Sequence, residues 1–232
     1  MGSLWTRAVV LAVASTVLIS SAASADAPLG ALSAALQRTG TAKTAHIALT
    51  QVYAASGRSA QSRVSGTLVR GDQDLTTANE SGESRRVSVG RSVYQRRPNT
   101  PGTAWEMGAR NAPSTDLAFG PLTLADGTSL ADPKLYRNAQ DLGSEQLPQG
   151  QARKIAADLD MAAVGAAMQL STLDQARLAQ MQGRVTLWIA TADGTLLRHD
   201  LVITIAGAGG ARTIDTTIDL TDLDAPLTVT AP

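Results

Sequence analysis

The side chains that most often carry proton or metal chemistry are scarce in this sequence. It holds two histidines, His46 and His199, and no cysteine. The missing Cys excludes thiol catalysis, Cys-ligated zinc, a disulfide framework and a lipid-modified cysteine anchor. Two histidines with no third ligand nearby in sequence do not define a zinc site, and both read as ordinary strand residues. Acidic residues gather at Asp158 and Asp160, and at Asp215, Asp219, Asp222 and Asp224. A calcium loop needs closely spaced oxygens around a turn glycine, which these runs lack, so no metal is expected. A glycosidase carboxylate pair is assembled from distant residues, and no spacing here marks one.

Phosphate and acyl chemistry fare no better. Gly207-Ala208-Gly209-Gly210 follows a strand, but period-2 alternation follows it, where a dinucleotide loop needs a helix. These glycines read as a hairpin loop. Lys43-Thr44 is preceded by Ala42 and not by glycine, and no G-x-S-x-G occurs. No catalytic residue and no cofactor is therefore assigned, and the chain is read as non-enzymatic. Arg85-Arg86, Arg91 and Arg96-Arg97 form a basic cluster beside Tyr94. A solvated sheet face accounts for it; an anionic lipid headgroup or envelope polymer is the sharper alternative. The 20 basic and 20 acidic side chains cancel, so the footprint of a nucleic-acid binder is missing. With 44% hydrophobic and 17% charged residues the composition is globular.

The elements that must position any site begin after residue 25. Arg7 is the lone charge before Ala8 to Ile19, an apolar run of 12 residues. A membrane-spanning helix needs about 20. Ala23-Ser24-Ala25 then supplies an A-x-A cleavage site, so residues 1–25 read as a secretory signal peptide and 26–232 as a single secreted domain. Pro28 to Arg38 carries a helical stripe of Leu29, Leu32, Ala35 and Leu36. Strands are expected over Ala45 to Tyr53, Ser62 to Arg70, Asp74 to Asn79, Arg85 to Val89 and Ser92 to Arg96. Pro98 to Pro133 holds five of the nine prolines and reads as loop, with a short strand at Trp105-Glu106-Met107 and an irregular or helical piece at Leu117 to Leu124.

Strands resume at Tyr136 to Gln146 and Gln151 to Leu159. Met161 to Met181 turns helical, its second part starting at Ser171-Thr172, with Thr172 and Gln175 as a capping box and Gly183 at the C′ position. From Arg184 onward the alternation is clearest. Val185, Leu187 and Ile189 share one parity, as do Leu197, Leu201, Ile203 and Ile205, and again Ile214, Ile218 and Leu220. Arg198, Asp200, Thr213, Asp215, Thr217 and Asp219 take the opposite faces. The pattern is that of a sheet with one buried and one wet face. The fold class is α+β. A large antiparallel sheet of roughly ten strands, curved by its own twist, would have a few helices on its concave face.

This order of segments resembles the LppX/LprAFG-like envelope proteins of actinobacteria, within the LolA-like superfamily of lipid and lipoprotein carriers. The resemblance rests on an export signal before LGALSAALQRTGTAKTAHI, and on Gly66-Thr67-Leu68-Val69. It rests further on Val87-Ser88-Val89-Gly90-Arg91-Ser92-Val93-Tyr94, on Val185-Thr186-Leu187-Trp188-Ile189 before Asp193-Gly194, and on the closing Pro226-Leu227-Thr228-Val229-Thr230-Ala231-Pro232. It implies a half-open β-barrel whose concave side encloses a hydrophobic cavity for acyl chains. Many such proteins are tethered through a lipidated Cys; lacking one, this chain would be released.

The expected function is that of a secreted, non-enzymatic lipid-binding or lipid-carrier protein. Its ligand would be a lipid or acyl chain, with transient contact to the membrane surface or envelope proteins. The alternative is an envelope interaction or sensor module that uses the sheet as a docking surface, without a lipid cavity. By period-2 alternation the cavity wall would comprise Leu187, Ile189, Leu201, Ile203, Ile214 and Ile218, with Val64, Leu68, Val87 and Val93 from the N-terminal half. Signal cleavage is directly checkable. N-terminal sequencing of the released protein should begin at Asp26, and an intact Met1 in the membrane fraction would overturn the assignment.

Overall fold

A computed structural model describes residues 26–97, 105–109, 132–169, 171–207 and 210–232. The expected signal segment and most of the proline-rich stretch, Leu117 to Leu124 included, lie outside the described residues. Helix α1 (Asp26–Gly40) opens the fold. It is followed by β1 (Thr44–Ala55), β2 (Arg58–Val69), β3 (Asp72–Asn79), β4 (Gly82–Val89), β5 (Ser92–Arg96) and β6 (Glu106–Ala109). A single 3-10 turn at Pro133–Leu135 leads into β7 (Tyr136–Leu147) and β8 (Gly150–Leu159). Two short helices, α2 (Met161–Ala167) and α3 (Thr172–Leu178), precede β9 (Met181–Ala190), β10 (Leu196–Ile205) and β11 (Arg212–Thr221).

All the strands join one 11-stranded sheet in the order β6-β5-β4-β3-β2-β1-β11-β10-β9-β8-β7. Every neighbouring pair is antiparallel. The sheet does not close, because β6 and β7 stand at opposite ends. It is two meanders joined by one distant pairing, β1 with β11, which sets Ile47 opposite Leu220 and Leu49 opposite Ile218. The free edge strand β7 is irregular. Its register against β8 shifts twice, between Arg137 and Gln140 and between Asp141 and Ser144. Asn138 and Gly143 there have φ of 53° and 89°.

Strand alternation builds the core. Ala45, Ile47 and Leu49 of β1 are buried, and their register partners on β2 and β11 continue the same face. α1 lays its expected stripe on that face, with Leu32, Ala35 and Leu36 at most 1% exposed. One side chain anchors the helix to the sheet. The buried Thr39 hydroxyl accepts the Leu196 N–H at 2.9 Å and donates to the Ala35 carbonyl at 2.8 Å. Leu196 is the first residue of β10, so this contact fixes where the helix end meets the strand. Among the described residues no helix is long and apolar enough to cross a membrane.

The helical stretch over Met161 to Met181 divides where expected, with α3 starting at Thr172. Four expectations need correction. The stretch stops short of Met181, where β9 already begins. Asp160 caps α2 by accepting the Ala162 and Ala163 N–H groups, and Ser171, not Thr172, caps α3. Gly183 ends no helix. It lies inside β9, where an added Cβ would stand 2.8 Å from the Leu159 side chain and 3.2 Å from Met161 Sδ. The glycine makes room for the start of α2 against the sheet. Leu197 does not share the core face with Leu201. A register shift between Leu196 and Arg198 puts Leu196 in the core and turns Leu197 toward Trp188, Leu147 and Ala152 on the outer face.

Removing the Thr39 hydroxyl would leave a buried N–H without an acceptor, a loss of about 1–3 kcal/mol. Thr39→Ala should lower the unfolding free energy read from urea denaturation by that amount, and Thr39→Ser should recover most of it.

Candidate functional site

The outer face is paired with itself. One row crosses five strands, from Glu145 through Lys154, Trp188 and Arg198 to Asp219. Trp188 Nε1–H donates to Glu145 Oε2 at 2.9 Å, and Lys154 Nζ donates to the same oxygen at 3.1 Å. The Trp188 ring has the Lys154 ammonium 4.7 Å and the Arg198 guanidinium 5.8 Å from its centroid. Arg198 also grips Asp219 with two hydrogen bonds, of 2.7 and 3.1 Å. The indole hydrogen bond, then Lys154, holds the Glu145 carboxyl below its usual range. Three of the five arginines of the basic cluster are also paired. Arg85 is bidentate on Asp74 at 2.8 and 2.6 Å, Arg96 pairs with Glu83, and Arg97 pairs with Glu106. Such charges serve a solvated face, as expected. Arg86 differs only in its face, since it stands opposite Leu75 on the concave side, and Arg91 lies in the exposed β4–β5 turn.

The concave face changes character along the strands, and cross-strand register shows how. Leu187, His199, Ile218, Leu49 and Val64 form one row across β9, β10, β11, β1 and β2, and all are buried. In the next row Val185 is buried, Leu201 and Thr216 are half-buried, and Gln51 is exposed. One row further, Gly183 is buried, Ile203 and Ile214 are half-buried, and Tyr53 is 41% exposed. The last row runs Met181, Ile205, Arg212, Ala55 and Arg58, with both arginines exposed. Ile203, Ile205 and Ile214 belong to no packed cluster of the core. From the His199 row to the last row is six residues of β10, roughly 20 Å at strand rise, and β10 to β2 spans roughly 14 Å. The concave face thus carries a strip of half-buried apolar side chains, broken by Thr216 and Gln51 and here called the trough, that runs from its closed end at the buried row to its open end at the β1–β2 and β10–β11 hairpins.

His199 stands at the closed end. It is 2% exposed, and neither ring nitrogen has a hydrogen-bond partner among the described residues. Burial pushes its pKa down to about 4, so the ring is neutral at pH 7. His46 is on the other face, 3.0 Å from the Thr67 hydroxyl and 3.9 Å from Asp222. The two histidines do not share a site.

The ten expected wall positions divide. Val64, Leu187, Ile189 and Ile218 are concave but fully packed, at 0–6% exposure. Leu68 and Leu201 are half-buried against the same core. Ile203 and Ile214 form the trough floor. Val93 is concave and half-buried on β5, far along the other wing. Val87 pairs with Asp74 and Tyr94 on the outer face, so the register separates it from the others. Four contributors fall outside the ten expected positions. Ile205 continues the parity of Leu201 and Ile203; Tyr53 ends the β1 alternation; Arg58 and Arg212 look like turn residues until the pairing is known.

No family model and no curated protein matches the sequence. Among solved structures, the fold is that of an open antiparallel sheet carrying helices on one face, shared with two mycobacterial proteins. The lipoprotein LppX of Mycobacterium tuberculosis aligns with a TM-score of 0.54 at 15% identity, covering 88% of this chain and 98% of that one. LprF of Mycobacterium bovis aligns at 0.53 and 16% identity, covering 89% and 97%. The resemblance read from the sequence therefore holds for the fold.

The neutral His199 has a sign-definite consequence. The unfolded ring, with a pKa near 6.5, takes up its proton first, so stability falls as pH drops from about 6.5 to 4. The full loss is on the order of 3 kcal/mol. Asp200 has its carboxyl pushed up by burial and contributes a slope of opposite sign. His199→Leu isolates the histidine: its stability should lose this acid-side decline, as read by urea unfolding across that pH window.

Proposed function

We propose that the chain is a non-enzymatic, extracytoplasmic lipid carrier that holds an acyl chain along the trough. The observation that carries this reading is the set of half-buried isoleucines, Ile203, Ile205 and Ile214, aligned on adjoining strands and packed into no core cluster. Burying apolar surface is worth about 0.8 kcal/mol per CH₂, so a chain lying along these residues would bind without any polar motif. The fold shared with LppX, itself a lipoprotein, supports an envelope setting. With no Cys to carry a lipid, the chain would act after release, and its cargo would have to enter and leave through the open hairpin end. Membrane surfaces and envelope proteins are its natural transient partners on this reading.

The test separates wall from core. Ile203→Ser and Ile214→Ser should leave the protein folded, because these side chains lie outside the packed cluster, and should weaken fluorescent fatty-acid binding several-fold. Leu187→Ser, at the bottom of the packed row, should instead cost several kcal/mol of stability. A wild-type protein that binds no lipid probe, and that carries no lipid in native mass spectrometry from its own host, would replace the carrier reading with a docking module.

A further inference from the structure

The last row of the trough says something about the ligand's polar end. Arg212 and Arg58 are the register partners of Ala55 from either side, on β11 and β2, so both Cβ atoms share the concave face with Tyr53. Their Cα atoms are two strand spacings apart, roughly 10 Å. Both side chains are exposed, and neither forms an ion pair among the described residues, whereas Arg85, Arg96, Arg97, Arg153, Arg177 and Arg198 all do. No acidic residue occupies the concave positions of the three open rows on β10, β11, β1 and β2. Asp215 of β11 stands opposite Val52 and Val202, on the outer face.

We infer that Arg58 and Arg212 form the headgroup site of the trough, selecting an anionic amphiphile whose carboxylate or phosphate is gripped at the open end while its chain lies over Ile205, Ile203 and Ile214. The inference rests on the carrier reading and adds a charge to the ligand. Guanidinium groups suit oxyanions because their planar fork donates paired hydrogen bonds, and two of them flanking one position offer donors from both sides. The order is that of an amphiphile, apolar floor first and cations at the water-facing end. The floor is long enough for an extended chain, since it runs roughly 20 Å. The closed end offers the neutral His199, which brings no charge to compete for the head.

The experiment compares one chain with two heads. Binding of cis-parinaric acid at pH 8 and of its methyl ester is measured on wild type, on the Arg58→Gln, Arg212→Gln double variant, and on Arg63→Gln. Arg63 pairs with Thr50 on the outer face and serves as a control for lost charge. Wild type and Arg63→Gln should prefer the acid by about tenfold, the size of one net charge-assisted hydrogen bond. The preference should shrink at high salt. The double variant should bind acid and ester alike, with ester affinity unchanged. Equal binding of both probes by wild type overturns the headgroup site but leaves the trough standing. Loss of preference in Arg63→Gln as well assigns the effect to net charge and overturns it too. Failure of wild type to bind either probe overturns the carrier reading itself. A second arm with phosphatidylglycerol vesicles distinguishes a monomeric ligand from a membrane surface. If the double variant loses vesicle sedimentation while keeping the acid preference, the arginines dock a bilayer and the inference fails.

Discussion

The pairing of β1 with β11 holds this molecule together. All other strand contacts join neighbours in sequence, so this is the one ladder between the two halves, and α1 adds the second link by packing onto the C-terminal strands. The ladder places the most buried part of β1 beside the most buried part of β11. It is reinforced beyond the strand ends, where the Thr44 carbonyl accepts the Asp224 N–H at 3.0 Å and the Asp224 carboxylate accepts the Lys43 N–H at 2.8 Å. Without that ladder the N-terminal meander would retain few partners for Ile47 and Leu49, and the trough would lose half its floor. Long-range pairing of this kind carries a large loop-closure cost, which the buried rows of isoleucine and leucine must offset.

The two faces of the sheet solve different problems. Outside, Arg85, Arg153, Lys154 and Arg198 each hold a carboxylate at hydrogen-bond distance, and Trp188 is fixed between cations while its N–H is satisfied by Glu145. Inside, apolar residues continue past the point where helices cover them. β1 breaks its stripe with the polar Gln51 before Tyr53 and Ala55. β10 instead carries Leu201, Ile203 and Ile205 toward the open end. The candidate site is that surplus of apolar surface, bounded by two unpaired arginines.

Much of this was legible in the sequence, because alternation is a local property. The parity of Ile203, Ile214, Ile218 and Leu187 follows from side chains pointing to opposite faces at every step, and the structure keeps it. What could not be read is whatever depends on register between strands. The shift between Leu196 and Arg198 reverses the face of Leu197, and one residue of slip is enough to do so. Val87 shares a hydrophobic label with Val93 but is separated from it by a turn, and nothing local says that their parities differ across it. Gly183 looked like a helix stop because its real reason, the closeness of Leu159 and Met161, is tertiary. Arg58 and Arg212 lie 154 positions apart in the numbering of the chain, and only the β1 ladder makes them neighbours.

An unclosed sheet has a second consequence, concerning its own copies. Each free edge offers unsatisfied backbone groups that another strand can zip onto, which is how sheet proteins grow into polymers. The twelve-residue edge β7 would be a long template were it regular. Its two register shifts, with the left-handed residues Asn138 and Gly143, break the spacing of donors and acceptors into short pieces. The opposite edge, β6, is only four residues long. Among the described residues, the unclosed sheet thus gives a second copy of the molecule no long continuous edge to extend.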